Sequence, residues 1–114
     1  MSNLTKKKCE PCSKNTPKLS MDEIQNKLSE INDWNLNDSK EMIFKKFKFK
    51  SFKKALHFTN LVGELAEGEG HHPDISLGWG YCLIMIHTHA IKGLSINDFI
   101  LAAKIDQKII QQNQ

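Results

Sequence analysis

His71-His72-Pro73-Asp74-Ile75-Ser76-Leu77-Gly78-Trp79-Gly80-Tyr81-Cys82-Leu83-Ile84-Met85-Ile86-His87-Thr88-His89 is the stretch on which the fold turns. Gly78-Trp79-Gly80 separates two apolar runs, so Asp74–Leu77 and Tyr81–His89 are predicted to be the paired strands of a hairpin. Cys82 to Ile86 is apolar at every position, as in a central or interface strand covered on both faces. Pro73 lacks a backbone donor and biases His72 toward an extended conformation. The histidine pair therefore belongs to a stiff loop entering the hairpin.

Upstream, Ser51 can cap a helix whose apolar face is Phe52, Ala55, Leu56, Thr59, Val62 and Ala66, broadened by Phe58, Leu61 and Leu65. Gly68 and Gly70 end it, since glycine is the usual left-handed C-terminal residue. Before it, Trp34-Asn35-Leu36 and Glu41–Lys50 are predicted strands joined by the turn Asn37-Asp38-Ser39. Phe47 and Phe49 have one parity and Met42 and Phe44 the other, which predicts a bulge at Lys45-Lys46. Ser20 with Glu23 three residues on is a capping box opening a helix with Ile24, Leu28 and Ile31 inward. Ser95 with Asp98 is a second, opening a helix with Ile96, Phe99, Ile100, Ala103 and Ile110 inward. The order α-β-β-α-β-β-α predicts an α+β domain, a four-stranded antiparallel sheet with three helices packed on one face.

The chain has 114 residues and 39% hydrophobic content, which fits one domain over 19–114. Residues 1–18 hold five lysines and one glutamate, so the net charge of +3 resides in this segment and the remainder sums to −1. Polar, aperiodic and carrying Pro11 and Pro17, residues 1–18 are expected to form a mobile arm with Cys9 and Cys12 as exposed thiols. Two thiols supply at most half of a closed zinc site. There is no arginine, the residue that reads phosphate and guanine in bidentate fashion, and the lysines of 45–54 lie among glutamates, so no nucleic-acid partner is expected. No apolar run approaches a membrane span and no secretory core opens the chain. With an odd number of cysteines, the expected location is the reducing cytoplasm.

Four of the five histidines fall in His71-His72 and His87-Thr88-His89. Imidazole titrates near neutrality, so such clusters suit proton transfer or metal binding. Three readings stand: acid–base chemistry, a zinc-like site, and packing or solvent-facing histidines. On a strand, His87 and His89 share one face. His57, alone on a helix near Lys53 and Lys54, is assigned no role. Glu67, one turn before His71, can fix a histidine tautomer. Asp98 can add charge to the pocket, with capping the simpler role. Trp34, Trp79 and Tyr81 can offer a flat wall to a heteroaromatic ring.

Glu67-x-x-x-His71-His72-Pro73, then Thr88-His89, then Gly93-Leu94-Ser95-x-x-Asp98-x-x-x-Ala102 resembles the pterin-4a-carbinolamine dehydratase family, and the likeness extends from about Leu19 to Ile109. The resemblance implies a carbon–oxygen lyase. Its substrate would be 4a-hydroxytetrahydrobiopterin, dehydrated to the quinonoid dihydropterin, so that the cofactor of aromatic amino acid hydroxylases is recycled. It implies no metal and no cofactor, the small-molecule pterin being the substrate, and a homodimer or homotetramer. A hydroxylase is a further implied partner. By position, His71, His72 and His89 match the family's active-site histidines, while His87, Thr88 and Ala90 lie in the segment bordering the pterin. Glu67, Asp98 and Trp34 complete the expected binding set. Animal members have an aspartate where this chain has Gly70 and a tryptophan where it has Ile75, so contacts of those side chains are missing here. The family also includes members that act as a dimerisation partner for a homeodomain transcription factor, which is the alternative function class.

Overall fold

Three serines start the three helices. In a computed structural model, which describes residues 3–11 and 13–112 with side chains as far as Ile109, Ser20 opens α1 (Met21–Leu28). Its hydroxyl accepts from Glu23 N at 3.2 Å and the Glu23 carboxylate accepts from Ser20 N at 2.9 Å, the reciprocal capping box expected. The bond from the Ser20 backbone holds the Glu23 carboxyl below the usual range. Ser51 Oγ accepts from Lys54 N at 3.1 Å and opens α2 (Phe52–Glu69). Ser95 precedes α3 (Ile96–Gln112). Cys12 and the side chain of Ile110 lie outside the described residues.

The sheet is antiparallel, in the order β1 (Asn35–Leu36), β2 (Ile43–Lys48), β4 (Tyr81–Ile86), β3 (Asp74–Gly78). The predicted hairpin forms, with Gly80 at φ +79° in its turn, and β4 lies centrally as its composition requires. Cys82, Ile84 and Ile86 are buried beneath the helices. Tyr81, Leu83 and Met85 have the opposite parity and are only half-buried. Phe58 of α2 meets the rings of Phe47 and Phe49 at centroid separations of 4.7 and 5.3 Å. That contact sets the rotation of α2: Ala55, Phe58, Val62 and Ala66 are buried, whereas Phe52 and Leu56, expected inward, are exposed.

The structure corrects three further expectations. Residues of β2 pair without interruption from Ile43↔Ile86 to Lys48↔Tyr81, so no bulge occurs at Lys45-Lys46. Lys45 instead shares the inward parity of Ile43 and Phe47, and its ammonium reaches Asp106 at 2.9 Å and the Asn32 carbonyl at 2.7 Å. A lysine stem covers apolar surface while its head is paired, so a charged residue is tolerated where the alternation demanded an apolar one. Second, β4 ends at Ile86, because β2 and β3 supply partners only as far as Ile86 and Met85. His89 therefore begins a 3-10 turn (His89–Ile91) rather than extending the strand.

Third, the N-terminal segment packs against the domain at Leu4 and Cys9 instead of leaving the Cys9 thiol exposed. Leu4 sits in a 3-10 turn (Leu4–Lys6) packed on α3 and is 1% exposed; Cys9 is 6% exposed. Cys9 is accordingly not an exposed thiol. Burial, with Glu69 close by, pushes it up to about 12. Among the described residues, no helix is long and apolar enough to cross a membrane.

Candidate active site

The end of α2 delivers the histidine pair. Gly70 caps the helix at φ +68°, and its N–H and that of His71 both return to the Ala66 carbonyl, at 2.9 and 3.3 Å. A Cβ at Gly70 would meet nothing within 4 Å, so the left-handed backbone, not space, calls for glycine. That turn sends His71 inward and leaves His72 at the surface.

His71 is buried, with Nε2 2.6 Å from Asp98 Oδ1. Asp98 is wholly buried and comes from the first turn of α3. Its second oxygen accepts from Ser95 N at 2.8 Å and from the Thr88 hydroxyl at 2.8 Å. Thr88 Oγ1 also lies 2.8 Å from Ser95 Oγ. Asp98 thus caps the helix with one oxygen, as the simpler sequence reading has it, and contacts His71 with the other. The helix N-terminus favours the carboxylate charge at this position. This carboxylate holds the His71 ring in place through its Nε2.

In the second lining segment, His87 is half-buried and places Nε2 3.3 Å from Asp74 Oδ2 of the first. His89 is exposed beside it, with ring centroids 4.0 Å apart at 60°. Strand alternation does not relate them, since His89 has left β4, but the turn after Thr88 keeps the rings together. His72 is exposed and its Nε2 lies 2.6 Å from Glu67 Oε1, the tautomer-fixing contact expected of Glu67, though for His72 rather than His71. The cavity these residues enclose measures about 420 Å³ and is lined by residues 70–74 and 87–90. His71, His72, His87, Thr88, His89 and Ala90 are all brought to it, with Asp98 directly behind.

Trp34, Trp79 and Tyr81 are not. The Trp34 indole N–H donates to Asp106 at 3.1 Å in the core, two turns along α3 from Asp98. Trp79 is 71% exposed at the hairpin turn, and Tyr81 pairs with Gly78 beside it. The cavity lies at the opposite end of that hairpin, about 17 Å away for strands of five residues. His57 is exposed on α2, outside the cavity. Asp74, to which the sequence reading assigns no role, also lines the cavity; its signal in the sequence is its position directly after His-His-Pro at the start of a strand. Asp74, His87 and His89 offer three ligand atoms within 4.8 Å of one another, a donor set that a divalent transition metal accepts.

Residues 17–108 match the family model described as Pterin 4 alpha carbinolamine dehydratase. The chain belongs to the pterin-4a-carbinolamine dehydratase family, a family of lyases. A chain of Alkaliphilus metalliredigens that bears the pterin-4-alpha-carbinolamine dehydratase name is 51% identical over 110 residues, covering 95% of this chain and 97% of that one. One of Methylococcus capsulatus under the same name is 47% identical and covers 92% of each. Among solved structures, a transcriptional coactivator/pterin dehydratase from Brucella melitensis superposes with a TM-score of 0.77 at 27% identity, over 81% of this chain and 98% of that one. A pterin dehydratase-like protein described as a RuBisCO assembly factor in the alpha-carboxysome gives 0.59 at 26% identity, over 68% and 89%.

Proposed function

We propose that this protein dehydrates 4a-hydroxytetrahydropterin to the quinonoid dihydropterin and water, with histidines as acid and base. The observation that carries the reading is the gathering of His71, His72, His87 and His89 around one cavity, with His71 backed by the buried Asp98. Loss of the 4a-hydroxyl needs a proton on the leaving oxygen and removal of the N5 proton; electrons are not exchanged with a second reactant. One protonated and one neutral imidazole, one from each lining segment, meet both requirements, at a gain of about 10²–10⁴ in rate. His71 or His72 serves the leaving hydroxyl and His89 is its counterpart. His87, Ala90 and Glu67 border the pterin. Thr88, its hydroxyl buried against Asp98, acts by holding that carboxylate. Trp34 has no part in binding in this reading.

The pterin is substrate, and no metal or further cofactor takes part. Such an activity would recycle the pterin of an aromatic amino acid hydroxylase, and the protein would work as a homodimer or homotetramer in the cytoplasm. The test is the decay of a 4a-carbinolamine generated in situ, followed with and without the protein. Acceleration proportional to protein concentration is expected; an unchanged decay would overturn the proposal.

Two other readings have particular support. Asp74, His87 and His89 favour a metal site, and metal analysis of protein purified without a histidine tag distinguishes it. The Brucella protein is described both as a transcriptional coactivator and as a pterin dehydratase. A binding module of the former kind would depend on the sheet and α3 rather than on the histidines.

A further inference from the structure

Ahead of the family match, the chain is fastened to the very elements that carry His71 and Asp98. Leu4, 1% exposed, anchors its start on α3. Cys9 N donates to Glu69 Oε1 at 2.9 Å, and the Cys9 thiol lies 3.6 Å from the Asn97 carbonyl. Glu10 N donates to Asn97 Oδ1 at 3.0 Å while Asn97 Nδ2 donates to the Glu10 carbonyl at 2.7 Å. Glu69 is the last residue of α2, two before His71; Asn97 immediately precedes Asp98. The second Glu69 oxygen accepts from Lys104 of α3 at 2.8 Å. Burial alone would raise the Glu69 carboxyl, but the Cys9 N–H and Lys104 together hold it below the usual value.

We propose that Leu4–Pro11 is a positioning strap for the His71–Asp98 pair, with Cys9 and Glu10 tying the end of α2 to the first turn of α3 through Glu69 and Asn97. Asn97 is 2% exposed, so its amide has been withdrawn from water in order to make this clasp. The two helices it joins each contribute one member of a 2.6 Å contact. Misplacement of such a pair by about 1 Å is enough to cost about 10²-fold in rate. None of the strap residues Leu4–Pro11 lines the histidine cavity, so the strap acts through the pair and touches no substrate.

The activity readout rests on the dehydratase reading; two others do not. Asn97→Ala removes both bonds to Glu10. Its expected effect is a kcat about 10–100-fold lower with KM changed less than about threefold, the pattern of lost positioning rather than lost binding. The side-chain nitrogen resonances of His71 should shift, and Cys9 should become at least about tenfold more reactive to alkylation, followed by peptide mapping. Glu69→Ala should behave likewise, while Glu69→Gln, which keeps an acceptor for the Cys9 N–H, should recover most of kcat. Removal of residues 1–11 is the second route should Asn97→Ala fail to fold. Released Cys9 with His71 resonances and kcat as in the wild type would overturn the strap. So would a loss of rate matched by the unfolded fraction at the assay temperature. A wild-type protein without dehydratase activity would defeat the proposed function alone, and the resonances and alkylation would still decide the strap.

Discussion

His71 and Asp98, 27 residues apart in the chain, meet at 2.6 Å in the interior, and the carboxylate's other oxygen closes the first turn of α3. One residue therefore links helix start, buried hydroxyl and histidine. Asp98→Asn should lower kcat by about 10²-fold, the lower end of the range for a misplaced acid or base. Asp98→Ala should also cost about 1–3 kcal/mol for each buried donor left without its acceptor. Steady-state kinetics and thermal unfolding of the two variants check both statements.

His89→Ala should reduce dehydration by roughly 10²–10⁴ with the fold retained. His72→Ala should do likewise or weaken pterin binding, and the double variant should lose less than the two effects combined. His57→Ala, on the exposed side of α2, should match the wild type. Full rate in His89→Ala would rule out its acid–base role.

A chelator should leave the rate unchanged, because the reaction requires only proton transfer. Abolition of activity by chelation, restored by zinc, would transfer the chemistry to Asp74, His87 and His89.

Stability should fall as pH rises above about 9. Cys9 is raised from its ordinary 9.0 to about 12 by burial and by the neighbouring Glu69, so between these values the unfolded chain has released a proton that the folded one retains. The unfolded state then binds fewer protons, and stability decreases with pH through that window. Glu69 is held low, so its contribution is present above its unfolded value near 4.5 and is lost as pH falls below it. Denaturant unfolding at graded pH, with Cys9→Ala as comparison, measures the alkaline limb; a flat profile from 9 to 12 would contradict it.

Phe44, Tyr81, Leu83 and Met85 share the sheet face that the helices leave uncovered, and each is half-buried rather than exposed. A second copy covering this face is the expected assembly. Light scattering at micromolar concentration should give a mass of two or four chains, and Leu83→Glu should lower it. The inward face of α3 is covered within the chain, from Phe99 to Ile105.

Much of the site was legible because histidine is scarce and its placement carries information. Both histidine clusters, His71-His72 and His87-Thr88-His89, line the same cavity, whereas Asp74 carried no such mark. What periodicity offered for His89, a strand face shared with His87, was wrong in mechanism and right in outcome. The strand ends where its neighbours end, and a strand's length depends on them. Trp34 is a core residue bonded to Asp106, and an aromatic has no local mark in sequence that separates that role from a cavity wall.

The order of elements, the serine caps, the glycine that ends α2, the hairpin and the grouping of the histidines are all legible along the chain. Each depends on hydrogen bonds or side-chain periods within a few residues. Only the tertiary structure decided that Asp98 faces His71, that Lys45 turns inward to Asp106, that α2 buries Phe58 but not Phe52, and that Cys9 and Glu10 reach Asn97 some 87 or 88 residues away. These pairings arise when helices dock on the sheet. The local pattern does not specify them, because each joins residues far apart in the chain, and polar groups taken into the interior must find partners there.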